Sequence, residues 1–352
     1  MLHAKFKWVT ISLSKLVIPF LLVCFTILLI VFSGSNLSAA KKGINLWLNS
    51  VLPSLFPFFI ATELLSYTPI ISYLGRCLHR LMYPIFHVPG EGSFALLMGI
   101  ISGYPTGAKI VANFYENGIC TRYECERLLA FTNNSGPLFI VGTVGSSLLG
   151  NTSLGFLLLF THILACFSVG LIFRFWKYHK KEKETRFAPI SSTDRLSIRN
   201  LGEVMGNSVQ EAFHTVIIIG GFVILFSVIN SMLLQCHLYE LLAQISSPIL
   251  SFFSMPPEFW QGIYTGILEL TNGVQAICQI PSKSLLPSLV CCAFLLGFGG
   301  ISVLLQVWSI LAKSHLSIKP YLYGKILHGF LAAFYTYAIL QVFPLFPITL
   351  IP

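Results

Sequence analysis

MGIISGYPTGAKIVANFYENG, residues 98–118, sets Pro105 between Gly103 and Gly107 and follows them with Lys109, all inside a run otherwise apolar enough to lie in a membrane. A bilayer-spanning helix satisfies its backbone internally, and Pro and Gly interrupt that ladder. The stretch therefore reads as a broken helix with a cation beside the break.

Of the 352 residues, 55% are hydrophobic and 10% are charged, and several apolar runs approach the roughly 20 residues that span a bilayer. The chain reads as an all-α polytopic membrane protein. A net charge of +9 raises nucleic acid as a partner, but the basic residues sit beside apolar runs, where the positive-inside rule accounts for them. The expected surroundings are the lipid bilayer, with no nucleic-acid partner. The cysteines fall singly or as the pair Cys291 and Cys292, with no C-x-x-C, so no metal site is expected and they read as small core residues.

The opening MLHAKFKWVTISLSK leads into the apolar LVIPFLLVCFTILLIVF and then SGSNLSAAKK. A signal anchor and a cleaved signal peptide share that pattern, and the length of the apolar stretch favours a retained anchor with a cytoplasmic amino terminus. Further spans are expected at 46–66, 128–150, 153–175, 210–234, 286–312 and 322–346. Segments 93–116 and 257–280 are apolar but interrupted, and they read as re-entrant hairpins covered by protein or lining a cavity. This layout puts the basic loops on one side: Arg76 and Arg80 in 67–92, RFWKYHKKEKETR in 174–200, and Lys313, Lys319 and Lys325 in 313–325. The loop 235–257, with neither Lys nor Arg, falls on the other. Lys41 and Lys42, placed outside, are the exception. Trp8, Trp47, Trp260 and Trp308 lie near span ends, as interface anchors do.

An internal repeat follows. LLMGIISGYPTGAKIV lies over IYTGILELTNGVQAIC with Gly107 on Gly273, and the same offset of 166 lays FTNNSGPLF over GFGGISVLL with Gly136 on Ser302. The span 153–175 between the halves reverses the second relative to the first, the inverted-topology arrangement of many secondary transporters. The expected organisation is an anchor and loop (1–43), a first inverted repeat (44–150), a connecting span and basic loop (151–207), a second inverted repeat (208–312) and a carboxy-terminal span (313–352). Each repeat has a re-entrant hairpin and a broken helix.

In such transporters substrate binds near the midplane, where helix breaks expose backbone groups. The candidate binding residues are therefore Ser102, Gly103, Tyr104, Thr106, Gly107 and Lys109 at the first hairpin, with Asn113 on the face of Thr106 and Lys109. Asn133, Asn134, Ser135 and Gly136 follow at the first broken span. Glu269, Thr271, Asn272 and Gln275, then Gln279, mark the second hairpin, and Ser302 and Gln306 the second broken span. A charge at mid-bilayer costs about 2.5–3.5 kcal/mol on insertion scales, so Lys109 and Glu269 should face a cavity or each other. The competing readings are structural: a snorkelling Lys109, an interfacial Glu269, a structural kink at TNNSGP. Glu63 is read near a membrane face, and His162, His214 and His328 as isolated packing residues. No H-E-x-x-H or G-x-S-x-G is present and Ser135 has no evident partner, so catalysis is not expected.

SGYPTGAK, TNNSGP, GILELTNG and LLGFGGISVLLQ resemble the YlbJ (SpoVV) family of sporulation integral membrane proteins of endospore-forming Firmicutes, over about residues 15–345. That resemblance implies Gate (nucleoside-recognition) domains similar to the repeat units of concentrative nucleoside transporters. It also implies movement of dipicolinate across the outer forespore membrane. A small aromatic dicarboxylate would suit Lys109, half-helix amino ends and an apolar wall. Glu269 would then bind a coupling cation, take a proton or pair with Lys109. The functional expectation is a carrier of a small anion working by alternating access, with no cofactor and with proton or sodium coupling open, as is a homo-oligomer. The alternatives are a nucleoside and cation symporter, and a structural membrane protein of spore assembly.

Overall fold

The computed structural model describes residues 2–178, 199–252, 257–280, 285–312, 314 and 316–342, with side chains from residue 16 onward and, before the 257–280 segment, only to residue 246. Most of the long basic linker and Lys313 lie outside the described residues.

Every described regular element is a helix. The chain runs through α1 (Leu2–Val31), α2 (Ser33–Leu46), a π-helical turn (Trp47–Val51), α3 (Leu52–Ser66), α4 (Ile70–Phe86), α5 (Gly92–Ser102), α6 (Thr106–Glu116) and α7 (Arg122–Leu129). A π-helical segment (Leu138–Leu148) and α8 (Thr152–Phe173) follow, then α9 (Leu201–Gln235), α10 (Leu238–Phe252), α11 (Pro257–Leu268) and α12 (Leu270–Cys278). The last three are α13 (Leu285–Phe298), α14 (Gly300–Leu311) and α15 (Lys319–Val342).

Four stretches are long and apolar enough to cross a membrane: Ser33–Ser66, Thr152–Phe173, Leu201–Gln235 and Leu285–Leu311. The exposed large side chains of α1, including Leu16, Ile18, Phe20 and Ile30, form an apolar surface that no described residue covers, as a lipid-facing helix requires.

Several expected loops are helical. Segment 67–92 contains α4, whose Ile71, Gly75, Met82 and Phe86 are buried at helical spacing while Arg76 and Arg80 stay exposed. Lys41 and Lys42 lie on α2 rather than in an outer loop. Trp47 is a packing residue, its indole donating to the Val216 carbonyl at 3.0 Å. Lys325, expected in a basic loop, stands two turns into α15 and is 2% exposed. Hydropathy hides that start because Lys319, Tyr321 and Lys325 interrupt the apolar run.

Three apolar clusters hold the bundle. One gathers α4 to α7 with α14, one joins α8, α12, α13 and α15, and one packs Val51 and Phe59 against Ala212, Val216 and Val223 of α9. The first two meet at Tyr104, which packs against both. That residue sits where α5 gives way to α6.

Candidate functional site

Four helix interruptions converge on Tyr104. The first, Gly103–Pro105, separates α5 from α6; Gly103 has φ +80° and ψ −179°, a backbone region only glycine enters readily. It leans on the second interruption, residues 130–137, so closely that a Cβ on Gly103 would lie 2.9 Å from Gly136 N. The third is Glu269, between α11 and α12, and the fourth is Gly299 and Gly300, both at φ +86°. A Cβ on Gly300 would stand 3.2 Å from Leu270 N, and one on Gly299 would stand 3.6 Å from the Tyr104 ring.

A cavity of about 50 Å³ lies at this convergence. Gly103, Tyr104 and Gly136 line it from the first pair of breaks, and Glu269, Leu270, Thr271, Val303 and Gln306 from the second. Ser54 and Leu55 of α3, Ile219 and Val223 of α9, and Phe139 complete a mostly apolar wall. As it stands the space holds only a few water-sized molecules, but its lining, apolar with a few polar groups, is of the kind that orients a small ligand.

Glu269 is 3% exposed and caps α12: its carboxylate accepts the backbone N–H groups of Thr271 at 3.1 Å and Asn272 at 2.8 Å. The positive end of the α12 dipole therefore offsets its charge. Gln306 donates to Ser302 Oγ at 3.3 Å, so Ser302 supports the wall from behind.

The other expected residues stand around this cavity rather than in it. Ser102 bonds Thr62 Oγ1 at 2.9 Å, and Thr106 is buried just past the tip. Gly107 packs against the Thr132 carbonyl, where a Cβ would be 2.2 Å away. Asn133 donates to Tyr321 Oη at 3.2 Å and Asn134 to the Phe131 carbonyl at 2.9 Å. Ser135 accepts from Tyr104 Oη at 2.5 Å and donates to the Leu296 carbonyl at 3.2 Å. Asn272 turns away to Ser227 Oγ at 2.9 Å, and Gln275 lines a neighbouring cavity that shares Thr271.

Lys109 is not brought to the cavity or to Glu269. It pairs with Glu63 of α3 at 2.7 Å and Glu211 of α9 at 3.1 Å. The spacing along 98–118 gives no sign of either partner, because both come from helices distant in sequence. Nor are His162 and His328 isolated: their rings lie tilted against each other with centroids 4.3 Å apart. Lys325 was missed as well, although a lysine three residues before a histidine in KILHGF could have flagged it.

This arrangement can be set beside known proteins. Residues 48–175 match the Gate family, described as nucleoside recognition, a match running from the π-helical turn through α8. Over 336 residues the chain is 36% identical to the sporulation integral membrane protein YlbJ of Bacillus subtilis (strain 168), covering 92% of this chain and 82% of that one. The chain belongs to the YlbJ family. It is therefore an integral membrane protein of a sporulation family with a Gate domain. No solved structure matches. Within the YlbJ family frame, the Gate match covers the first two breaks and the Tyr104 wall, while Glu269 and Gln306 lie beyond it.

Proposed function

We propose that this chain is a carrier moving a small anionic metabolite by alternating access, with dipicolinate at the outer forespore membrane as the candidate substrate and setting. The observation that carries this reading is the cavity at the meeting point of four helix breaks, walled by both halves of the chain. A packed structural protein has little use for that much interrupted backbone around an internal space. Apolar side chains such as Leu55, Phe139 and Val303 suit the faces of an aromatic ring, and Thr271 and Gln306 offer hydrogen bonds to its substituents.

We read α5–α6 and α11–α12 as re-entrant hairpins within two inverted repeats. The support is the offset of 166, which relates Gly107 to Gly273, Gly136 to Ser302 and also the paired His162 and His328. On that offset α15 answers α8, so each unit extends through its closing helix and makes three crossings. An odd number inverts the next unit. The charge pattern favours a cytoplasmic amino terminus.

A second reading, nucleoside and cation symport, draws on Glu269 and Gln306 in the wall and on the description of the Gate family. Uptake of labelled dipicolinate into proteoliposomes, with uridine as competitor and Gln306→Leu as control, separates the two. Saturable uptake that ignores uridine and weakens in the variant supports the anion carrier. Uridine uptake supports the second reading, and uptake of neither by intact, reconstituted protein overturns both.

A further inference from the structure

Behind Tyr104 lies a polar cluster that the cavity wall does not use. Lys325 and His328 stand one turn apart on α15 and face α8 and the 130–137 segment. Lys325 Nζ donates to the Asn133 carbonyl at 3.1 Å and reaches His328 Nδ1 at 3.4 Å. His328 Nε2 lies 3.0 Å from the His162 carbonyl, which can only accept, so Nε2 carries the ring proton and Nδ1 receives Lys325. His162 Nε2 accepts the Ser135 backbone N–H at 3.2 Å, which requires that nitrogen to be unprotonated. Its Nδ1 is buried without a partner.

The remaining titratable groups facing this cluster are uncharged types. Cys166 of α8 donates to the Phe131 carbonyl, Tyr321 of α15 accepts from Asn133, and the Tyr104 ring lies 5.8 Å from Lys325 Nζ. From α13 comes the Leu296 carbonyl, bonded to Ser135. The charged Glu126 and Arg127 of α7 turn instead to Trp176, Lys177 and His87. Among the described residues no carboxylate pairs with Lys325; Glu269 lines the cavity in front of Tyr104.

This geometry has two acceptors for Lys325, the number a neutral amine with two N–H groups satisfies. A third proton would point only at the Tyr104 ring. Protonating His328 Nδ1 would set it against Lys325, and protonating His162 Nε2 would set it against the Ser135 N–H, so the cluster holds at most one positive charge. A buried ammonium without a counter-charge is unfavourable in this setting, and an anion on the other side of Tyr104 relieves it.

We propose that Lys325, held by Asn133 and His328 and backed by His162, is a proton-binding site that loads when an anion enters the cavity and unloads when it leaves. The amine lone pair takes one proton, supplied by water as the site opens, to give the ammonium, and release is the reverse step, so each anion crosses with a proton. The inference rests on the anion-carrier reading.

The test is dipicolinate uptake by proteoliposomes with and without an inward proton gradient, with a pH dye in the lumen. Wild-type uptake is expected to accelerate several-fold with the gradient and to acidify the lumen. Lys325→Arg, with its charge fixed, is expected to retain exchange of anion for anion while losing both responses; Lys325→Met serves if the arginine variant does not accumulate. Gradient-indifferent wild-type uptake, or a variant that keeps both responses, overturns this inference and leaves the carrier reading intact. Intact protein that moves no anion under any condition overturns both.

Discussion

Lys109 Nζ lies 2.7 Å from Glu63 Oε1, a contact spanning 46 residues that ties the helix after the first break to α3, with Glu211 closing the triad from α9. Lys109→Ala leaves two carboxylates facing each other without their cation. Its thermal midpoint in detergent should fall, and a double-mutant cycle with Glu63→Gln should return a coupling within about 0.5–3 kcal/mol. Ligand affinity at the cavity should change little. A variant as stable as wild type but without binding would instead restore Lys109 to the site.

Gly103→Ala places a methyl group 2.9 Å from Gly136 N on a backbone at φ +80°. The strain alone is about 1–3 kcal/mol, and the clash adds to it. Gly150 also has positive φ, at +64°, but opens onto empty space. Its alanine variant should lose distinctly less stability, and equal losses would show that the Gly103–Gly136 approach is not tight.

Glu269→Ala removes the cap from α12 and should cost about 0.5–2 kcal/mol. Glu269→Gln keeps an oxygen for the two amides and discards the charge. An anion carrier should then bind dipicolinate several-fold more tightly, whereas a nucleoside and cation symporter should lose activity. Titration calorimetry or transport KM distinguishes them.

Glu126, with no exposed side-chain surface, receives Lys177 at 2.8 Å, the Trp176 indole at 2.9 Å and Arg122 at 3.2 Å. Burial favours its neutral form, but the bonds from Lys177, Trp176 and Arg122 outweigh it and hold the carboxyl below the usual range. A carboxyl lowered on folding adds stability that is full above its unfolded value of about 4.3 and vanishes as pH falls through the folded value. Glu126→Gln should therefore melt several degrees below wild type at neutral pH, and the two curves should converge in acid. A difference that persists unchanged at about pH 3 would contradict this assignment.

Single residues explain what the sequence disclosed. Breaks were legible because Gly103, Pro105, Gly299 and Gly300 act on the backbone locally, wherever they occur. Glu269 and Gln306 were recognisable as site candidates because polar groups inside apolar runs need a reason to be there. Partners were not legible. Lys109 could not announce Glu63 and Glu211, and His162 gave no sign of His328, because pairing between distant helices is set by packing. Lys325 was misplaced for another reason: its charge drew it into the basic loop 313–325, although the expected span 322–346 already contained it.

The Glu269 cap has one more consequence. The amino end of α12 is already filled, by a carboxylate the chain supplies itself. A solute carboxylate seeking those two amides would have to evict it, and the evicted group would need a proton or a metal cation to remain in so dry a place. The protein thus carries its own occupant of that helix end, and whatever relieves Glu269 also decides when those amides become accessible.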